Sequence, residues 1–224
     1  MQISVKTDVK ELQRKLNHAK KQIPFAVKGG LDATAFDVQR AVKQALPNAL
    51  DNPIKYTISG VQVKKAEKNN LIAIVGFAGK GFGRSSGSIP QADYMHFMIK
   101  GGMRSPRATA IAVPNPRSGK KVTNKAGNIP RGKIKKLLSD KDKYFSGAPH
   151  QWSKAEEGIW ERMPANSKRK KNRPQKLRMP IAWEPTAQYK KGYFKFEKIV
   201  GRTVAKTFRN NFDKAIAKAL KTAR

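Results

Sequence analysis

The chain has 224 residues, with 48 Lys/Arg against 15 Asp/Glu for a formal net charge of +33, and it has no cysteine. The length suits one domain or one domain with long insertions, and the missing cysteine excludes disulfides, thiolate metal sites and a cysteine nucleophile. Residues 1–100 hold 16 basic and 7 acidic side chains whereas residues 101–224 hold 32 and 8, so the second half is the stronger candidate for meeting a polyanion.

The opening MQISVKTDVKEL has no apolar run of signal-peptide type. The longest apolar stretch, LIAIVGFAG, is far too short to span a bilayer, so the sequence predicts a soluble chain with no membrane contact and no mark for export. Ile3 and Val5 alternate with polar residues as in a short strand. Asp8 then offers an N-cap, with Glu11 three residues on as in a capping box. Val9, Leu12, Leu16, Ala19 and Ile23 follow at helical spacing. Pro24 interrupts that pattern or starts a new helix. Beyond it, Val27, Leu31, Ala35, Val38, Val42 and Ala45 form a second apolar stripe. Gly29 and Gly30 each cost this helix about 1 kcal/mol relative to Ala, a cost that close packing at that point would explain.

Pro47, Asn48, Asn52 and Pro53 predict a break. YTISGVQVKKA and NNLIAIVGFAG then read as two strands, 56–64 and 71–77, joined by a turn at Asn69–Asn70 in an antiparallel hairpin. Ile72 and Ile74 alternate with Leu71, Ala73 and Val75, so both faces of the second strand are apolar. That predicts a central strand with Ile74 buried, and helix 24–46, including a buried Val38, packed across one face. GKGFGRSSGSIPQ reads as a flexible loop. No GK[ST] follows its glycines, so a phosphate-binding P-loop is excluded. Residues 94–113 return to apolar, strand-like character and 114–130 read as loop. PRGKIKKLLS predicts a short basic helix. Residues 139–178 read as polar and irregular, with a strand at IWERM, and LRMPIAW predicts another strand.

The ending is the most regular segment. Phe196, Val200, Val204, Phe208, Phe212, Ile216 and Leu220 recur every four residues. At 3.6 residues per turn such a row drifts about 40° per step, so the start and end of this long helix need different partners. The start covers its own sheet; Phe208, Phe212, Ile216 and Leu220 face another element or another subunit. The fold class expected is therefore α+β: N-terminal helices and a long C-terminal helix on a small, mainly antiparallel sheet, with long basic loops.

No catalytic constellation emerges. His18, His96 and His150 lie far apart in dissimilar contexts, with His96 reading as a satisfied structural histidine. The pairs Asp140/Asp142 and Glu156/Glu157 have lysine neighbours and read as solvated acids, not a metal site. The sharpest feature is KRKKNRPQKLR at 168–178, in which Lys168, Arg169, Lys170, Lys171, Arg173, Lys176 and Arg178 crowd together with no acid. Such a run repels itself and suits phosphates, whose counterions it displaces. Pro174 disfavours helix at Arg173, and no aromatic interleaves to stack on bases, so contact without sequence reading is expected, with an acidic protein surface as the other candidate.

Four stretches, NPIKYTISGVQVKKA, YMHFMIKGG with Arg104, GNIPRGKIKKLLS and FEKIVGRTVAKTFRNNFDKAIAKALKTAR, together with the IPFAVKGGLDATAFDVQRAV helix, resemble in order and spacing the minor tail protein Z family of tailed phages. The resemblance covers most of the chain and thins at about 79–92 and 140–178, which read as insertions in a single domain spanning 1–224. It implies a non-enzymatic virion protein without cofactor, assembled in the bacterial cytoplasm. It further implies a homo-oligomeric ring at the head–tail junction or in the tail, around a channel that DNA traverses. The partners it implies are portal, connector or tail-tube proteins, with non-specific contact to genomic DNA. A free-standing non-specific nucleic-acid-binding protein is the alternative that the charge alone supports.

Overall fold

A computed structural model describes residues 6–79, 82, 89–106, 109–119, 121–149, 156–163, 176–190 and 192–222, and for 6–19, 21 and 222 the backbone alone. The expected strand at Ile3 and Val5 lies outside them. The chain divides into two compact units, Met1–Ile99 with Gly192–Arg224, and Lys100–Lys191 inserted between them. Each unit has its own apolar cluster.

Unit 1 runs α1 (Lys6–Ala49), α2 (Lys55–Ser59), β1 (Val61–Lys64), β2 (Ile74–Phe77) and α3 (Gln91–Lys100). Unit 2 runs β3 (Gly102–Arg104), β4 (Ile111–Pro114), α4 (Lys133–Leu138), β5 (Tyr144–Gly147), β6 (Gly158–Arg162), β7 (Leu177–Glu184) and β8 (Ala187–Tyr189). The chain then returns to unit 1 as α5 (Phe196–Thr222). The fold class is α+β, and every strand pair among the described residues is antiparallel.

The core of unit 1 forms where the apolar stripe of α1 meets the hairpin and the start of α5. Val38, Val42 and Leu46 bury against Val61, Phe77, Met95 and Phe194, with Phe196, Ile199 and Val200 of α5 packed on them. Each such side chain is worth about 1.5–3 kcal/mol by transfer from water. Further along, α1 and α5 run antiparallel and approach at the two glycines. A Cβ on Gly30 would lie 3.0 Å from the Phe212 Cα, and one on Gly29 would lie 3.4 Å from the Ala215 Cβ. Asn211 bridges the pair, donating to Asp37 Oδ2 at 2.7 Å and to Thr34 Oγ1 at 3.2 Å. The hairpin is pinned to α1 by Asp32, whose Oδ1 accepts from the Ala66 amide at 2.8 Å, and by Gln39, which donates to the Val61 carbonyl at 2.7 Å.

Several local expectations change. α1 is one helix of 44 residues containing Pro24 and Pro47, so Asp8 lies inside it instead of capping it. Pro24 removes one backbone donor, and the helix continues into the stretch that α5 covers. Residues 55–59 are helical, not part of the strand, and Thr57 buries there with its hydroxyl 3.1 Å from the Tyr94 hydroxyl. The antiparallel hairpin does form, with Val61 opposite Phe77 and Lys64 opposite Ile74. It remains a sheet of two strands, and Ile74 at its end, opposite Lys64, is 45% exposed where burial was expected. Val38 is buried as expected. The apolar run from Tyr94 is the helix α3, and His96 on it is exposed, its ring edge-on to Phe97.

Burial pushes the Tyr94 hydroxyl above its ordinary value, the hydrogen bond with Thr57 working against the shift and the neighbouring Tyr56 adding to it. The fold therefore favours the neutral phenol. The stability of unit 1 should be full below about pH 10, the unfolded tyrosine value, and should fall as pH rises from there through the raised folded value. Tyr94→Phe should flatten that alkaline decline, as read from urea midpoints by far-UV circular dichroism.

Unit 2 is built on a four-stranded sheet in the order β4-β7-β6-β5, with β3 and β8 paired separately. Ile159 and Ile181 face each other across β6 and β7 and bury with Val122, Leu137 and Tyr144. Both strands expected here, at IWERM and LRMPIAW, form, and so does the basic helix α4. Residues 140–178 are not only insertion loop, since β5 and β6 supply half of this sheet.

Candidate nucleic-acid interface

The predicted basic run, 168–178, lies between β6 and β7 in sequence and its last two residues open β7. Arg162 pairs with Leu177, and the Met163 amide donates to the Lys176 carbonyl at 3.0 Å. The described chain therefore stops at Met163 and resumes at Lys176 with those two positions held together. Lys168, Arg169, Lys170, Lys171 and Arg173 lie outside the described residues. Lys176 is exposed.

Arg178 has a different role from the one expected. Its Nε donates to Glu161 Oε2 at 2.8 Å and its Nη2 sits 2.6 Å from the same oxygen. Glu161 is only 2% exposed. Its other oxygen accepts from the Tyr144 hydroxyl at 2.8 Å and lies 3.8 Å from Lys143 Nζ. Alternation along β6 and β7 points Glu161 and Arg178 to the same face at paired positions. Arg178 is thus the counter-charge of a buried carboxylate.

The structure adds a cation that the sequence reading missed. A cleft of about 460 Å³ in unit 2 is lined by Asn115, Arg117, Trp160, Met163, Lys176 and Arg178, among others. Arg117 is exposed on the 3-10 turn Pro116–Ser118, whose first amide is capped by Asn115: its Oδ1 accepts from the Arg117 amide at 3.1 Å. NPRSG is a legible turn signal, but nothing in it says that the turn lies beside the paired strand ends. Arg117 and Lys176 are the two cations of this cleft without a carboxylate partner among the described residues.

Of the row expected to meet another element or subunit, Phe212 is half-buried on Gly30 of α1 within the same chain. The long reach of α1 supplies the second partner that the drift of the row requires. The Phe208 ring stacks on Phe212, centroids 5.8 Å apart, and is 37% exposed; Leu220 is 54% exposed and Ile216 half-buried. Ile23 and Phe25 of α1, level with Leu220 in the antiparallel pairing, are also exposed.

His18 and His150 carry no described side chain, and Asp140, Asp142, Glu156 and Glu157 are exposed. Asp140 caps its own turn, Oδ1 accepting from the Lys143 amide at 3.2 Å. No group of three or more His, Asp or Glu among the described residues is placed to hold a metal ion, and no helix among them is long and apolar enough to cross a membrane. Comparison with protein-family models, with curated proteins and with solved structures finds no match in any of the three.

Proposed function

We propose that this chain is a non-enzymatic structural protein of a phage virion. In this reading it is a minor tail or tail-completion protein that forms part of a homo-oligomeric ring at the head–tail junction or in the tail, around the DNA channel. The observation that carries the reading is the charge of the sequence between β6 and β7, where twelve residues, 164–175, hold five cations and no acid. Arg117 and Lys176 line a cleft beside the paired strand ends. A segment so charged needs a polyanion to screen it, and DNA backbone supplies one without sequence reading. The exposed Ile23, Phe25, Phe208 and Leu220 on the helix pair support contact with other copies or with portal, connector or tail-tube proteins. The buried Glu161–Arg178 pair is fully engaged within the sheet, which supports a structural role for the strongest polar network described.

The test replaces Lys168, Arg169, Lys170 and Lys171 by Gln. Each phosphate contact adds about 0.9 to the log–log salt slope of duplex binding, so the slope should flatten by up to about 3.6. Retention of DNA in filled particles should fall while the protein still sediments as a defined oligomer. An unchanged slope with lost assembly would assign the run to an acidic protein partner. A monomer that binds naked duplex with a steep slope would favour the free-standing nucleic-acid-binding protein.

A further inference from the structure

Unit 1 carries a second cationic surface that no sequence motif announces. Lys195, Lys198, Arg202, Lys206 and Arg209 follow one another at intervals of three, four, four and three residues. On a helix those intervals hold a single face. All five side chains are exposed, none has an acidic partner among the described residues, and the buried side of α5, on Phe196, Ile199, Val200 and Thr203, is centred about 110° further round the helix. At 1.5 Å per residue the stripe spans about 21 Å, and over that length one strand of duplex DNA presents about six phosphates.

An ordinary solvated helix face mixes both signs at these intervals, because like charges three and four apart repel. Here Glu197 is the one acid between Lys195 and Asp213, and wheel position places it about 100° or more from the stripe. The cations also begin at the N-terminal end of a 27-residue helix, where the backbone dipole is positive and disfavours them. Mutual repulsion and the dipole both act against this arrangement in the free chain, and a bound polyanion relieves both.

The stripe also opens into a cleft. Lys195, Lys198 and Arg202 line a cavity of about 390 Å³ between the end of α1 and the start of α5, with Asn48 and Tyr193 as neutral donors. Tyr193 is 61% exposed. No carboxylate lines this cleft, so a phosphate seated there meets three cations and nothing that repels it.

We propose that the solvent face of α5 from Lys195 to Arg209 is a docking track for the sugar–phosphate backbone of duplex DNA, starting at the cleft beside Tyr193. It stands on side chains of unit 1 alone and so is separable from the basic run between β6 and β7. The experiment uses the full chain with Lys198, Arg202, Lys206 and Arg209 replaced by Gln, on a labelled duplex titrated across sodium chloride concentrations. The helical circular dichroism should match the parent chain, since all four positions are exposed. The salt slope should flatten by up to about 3.6 and binding at moderate salt should weaken about tenfold or more. Lys198→Arg with Lys206→Arg should keep the parent slope, because charge and not side-chain shape is what the backbone reads. Combining the four changes with the four Gln replacements in the basic run should subtract both slopes. A folded variant with the parent slope overturns the proposal. So does a parent chain from which poly-glutamate displaces duplex at equal charge concentration, which would make the face a docking surface for acidic protein.

Discussion

Gly30→Leu should cost the helix pair of unit 1 about 3 kcal/mol, the upper end of what overpacking imposes, and should lower its urea midpoint by far-UV circular dichroism. The atom that the new side chain meets first is a backbone atom, the Phe212 Cα at 3.0 Å from an ideal Cβ, with the Phe212 ring at 3.3 Å. A ring can swing aside, but a Cα moves only with its helix, so α5 must lift off α1. Asn211 would then lose its bonds to Asp37 and Thr34. Gly201→Ala is the control on the same helix pair. A Cβ there meets nothing within 4 Å, so the change should stabilise by about 0.5–1 kcal/mol through helix propensity alone. Equal effects at the two positions would show that the close approach at Gly30 does not hold the helices together.

Glu161→Ala should destabilise unit 2 by about 3 kcal/mol, the low end of the cost of breaking a buried ion pair, because Arg178 keeps 27% of its side chain exposed to water. The guanidinium of Arg178 would be left without its carboxylate, and the Tyr144 hydroxyl would lose the acceptor at 2.8 Å. The double change Glu161→Leu with Arg178→Met should recover much of the loss, because it removes both charges together. The protein offers a clean readout: all three tryptophans, Trp152, Trp160 and Trp183, fall within Lys100–Lys191, so their fluorescence follows unit 2 while the long helices of unit 1 dominate circular dichroism. A Glu161→Ala midpoint within about 0.5 kcal/mol of the parent, the range of ordinary surface substitutions, would mean that the network is not holding the sheet.

What was legible in the sequence follows the range of the forces involved. Periodicity is local, so α5, α4, β6 and β7 were readable from residue spacing, as was the buried Val38. The glycine pair at 29–30 was readable as a close approach, but not its partner, since Phe212 is 182 residues away. Two apolar faces on β2 imply two covers, and what packs over Ile74 is decided by residues elsewhere in the chain. Tyr56–Ser59 has strand propensity, yet the burial of Thr57 against Tyr94 of α3 overrides it. Arg178 sat in a run of cations and read as one of them. Its partner Glu161 lies across a strand pair, so only the register could separate a counter-ion from a contact. The α5 stripe was missed for the opposite reason: its charges are spread at helical intervals through an apolar row, which drew the eye to the other face.

The insertion of unit 2 sets an order of events during synthesis. Ile99 and Gly192 meet where the chain leaves and re-enters unit 1, the Gly192 amide donating to the Ile99 carbonyl at 3.2 Å. Everything between them is contiguous and can fold as soon as it clears the ribosome. α1 cannot: the helix that covers Gly30 is made about 180 residues later, which at about 5–20 residues per second is a delay of roughly 10–40 seconds. Through that interval the apolar stripe of α1 lacks α5. Unit 1 closes last, so the helix pair, with its exposed Phe208 and Leu220, comes into being only on a chain whose basic half is already built.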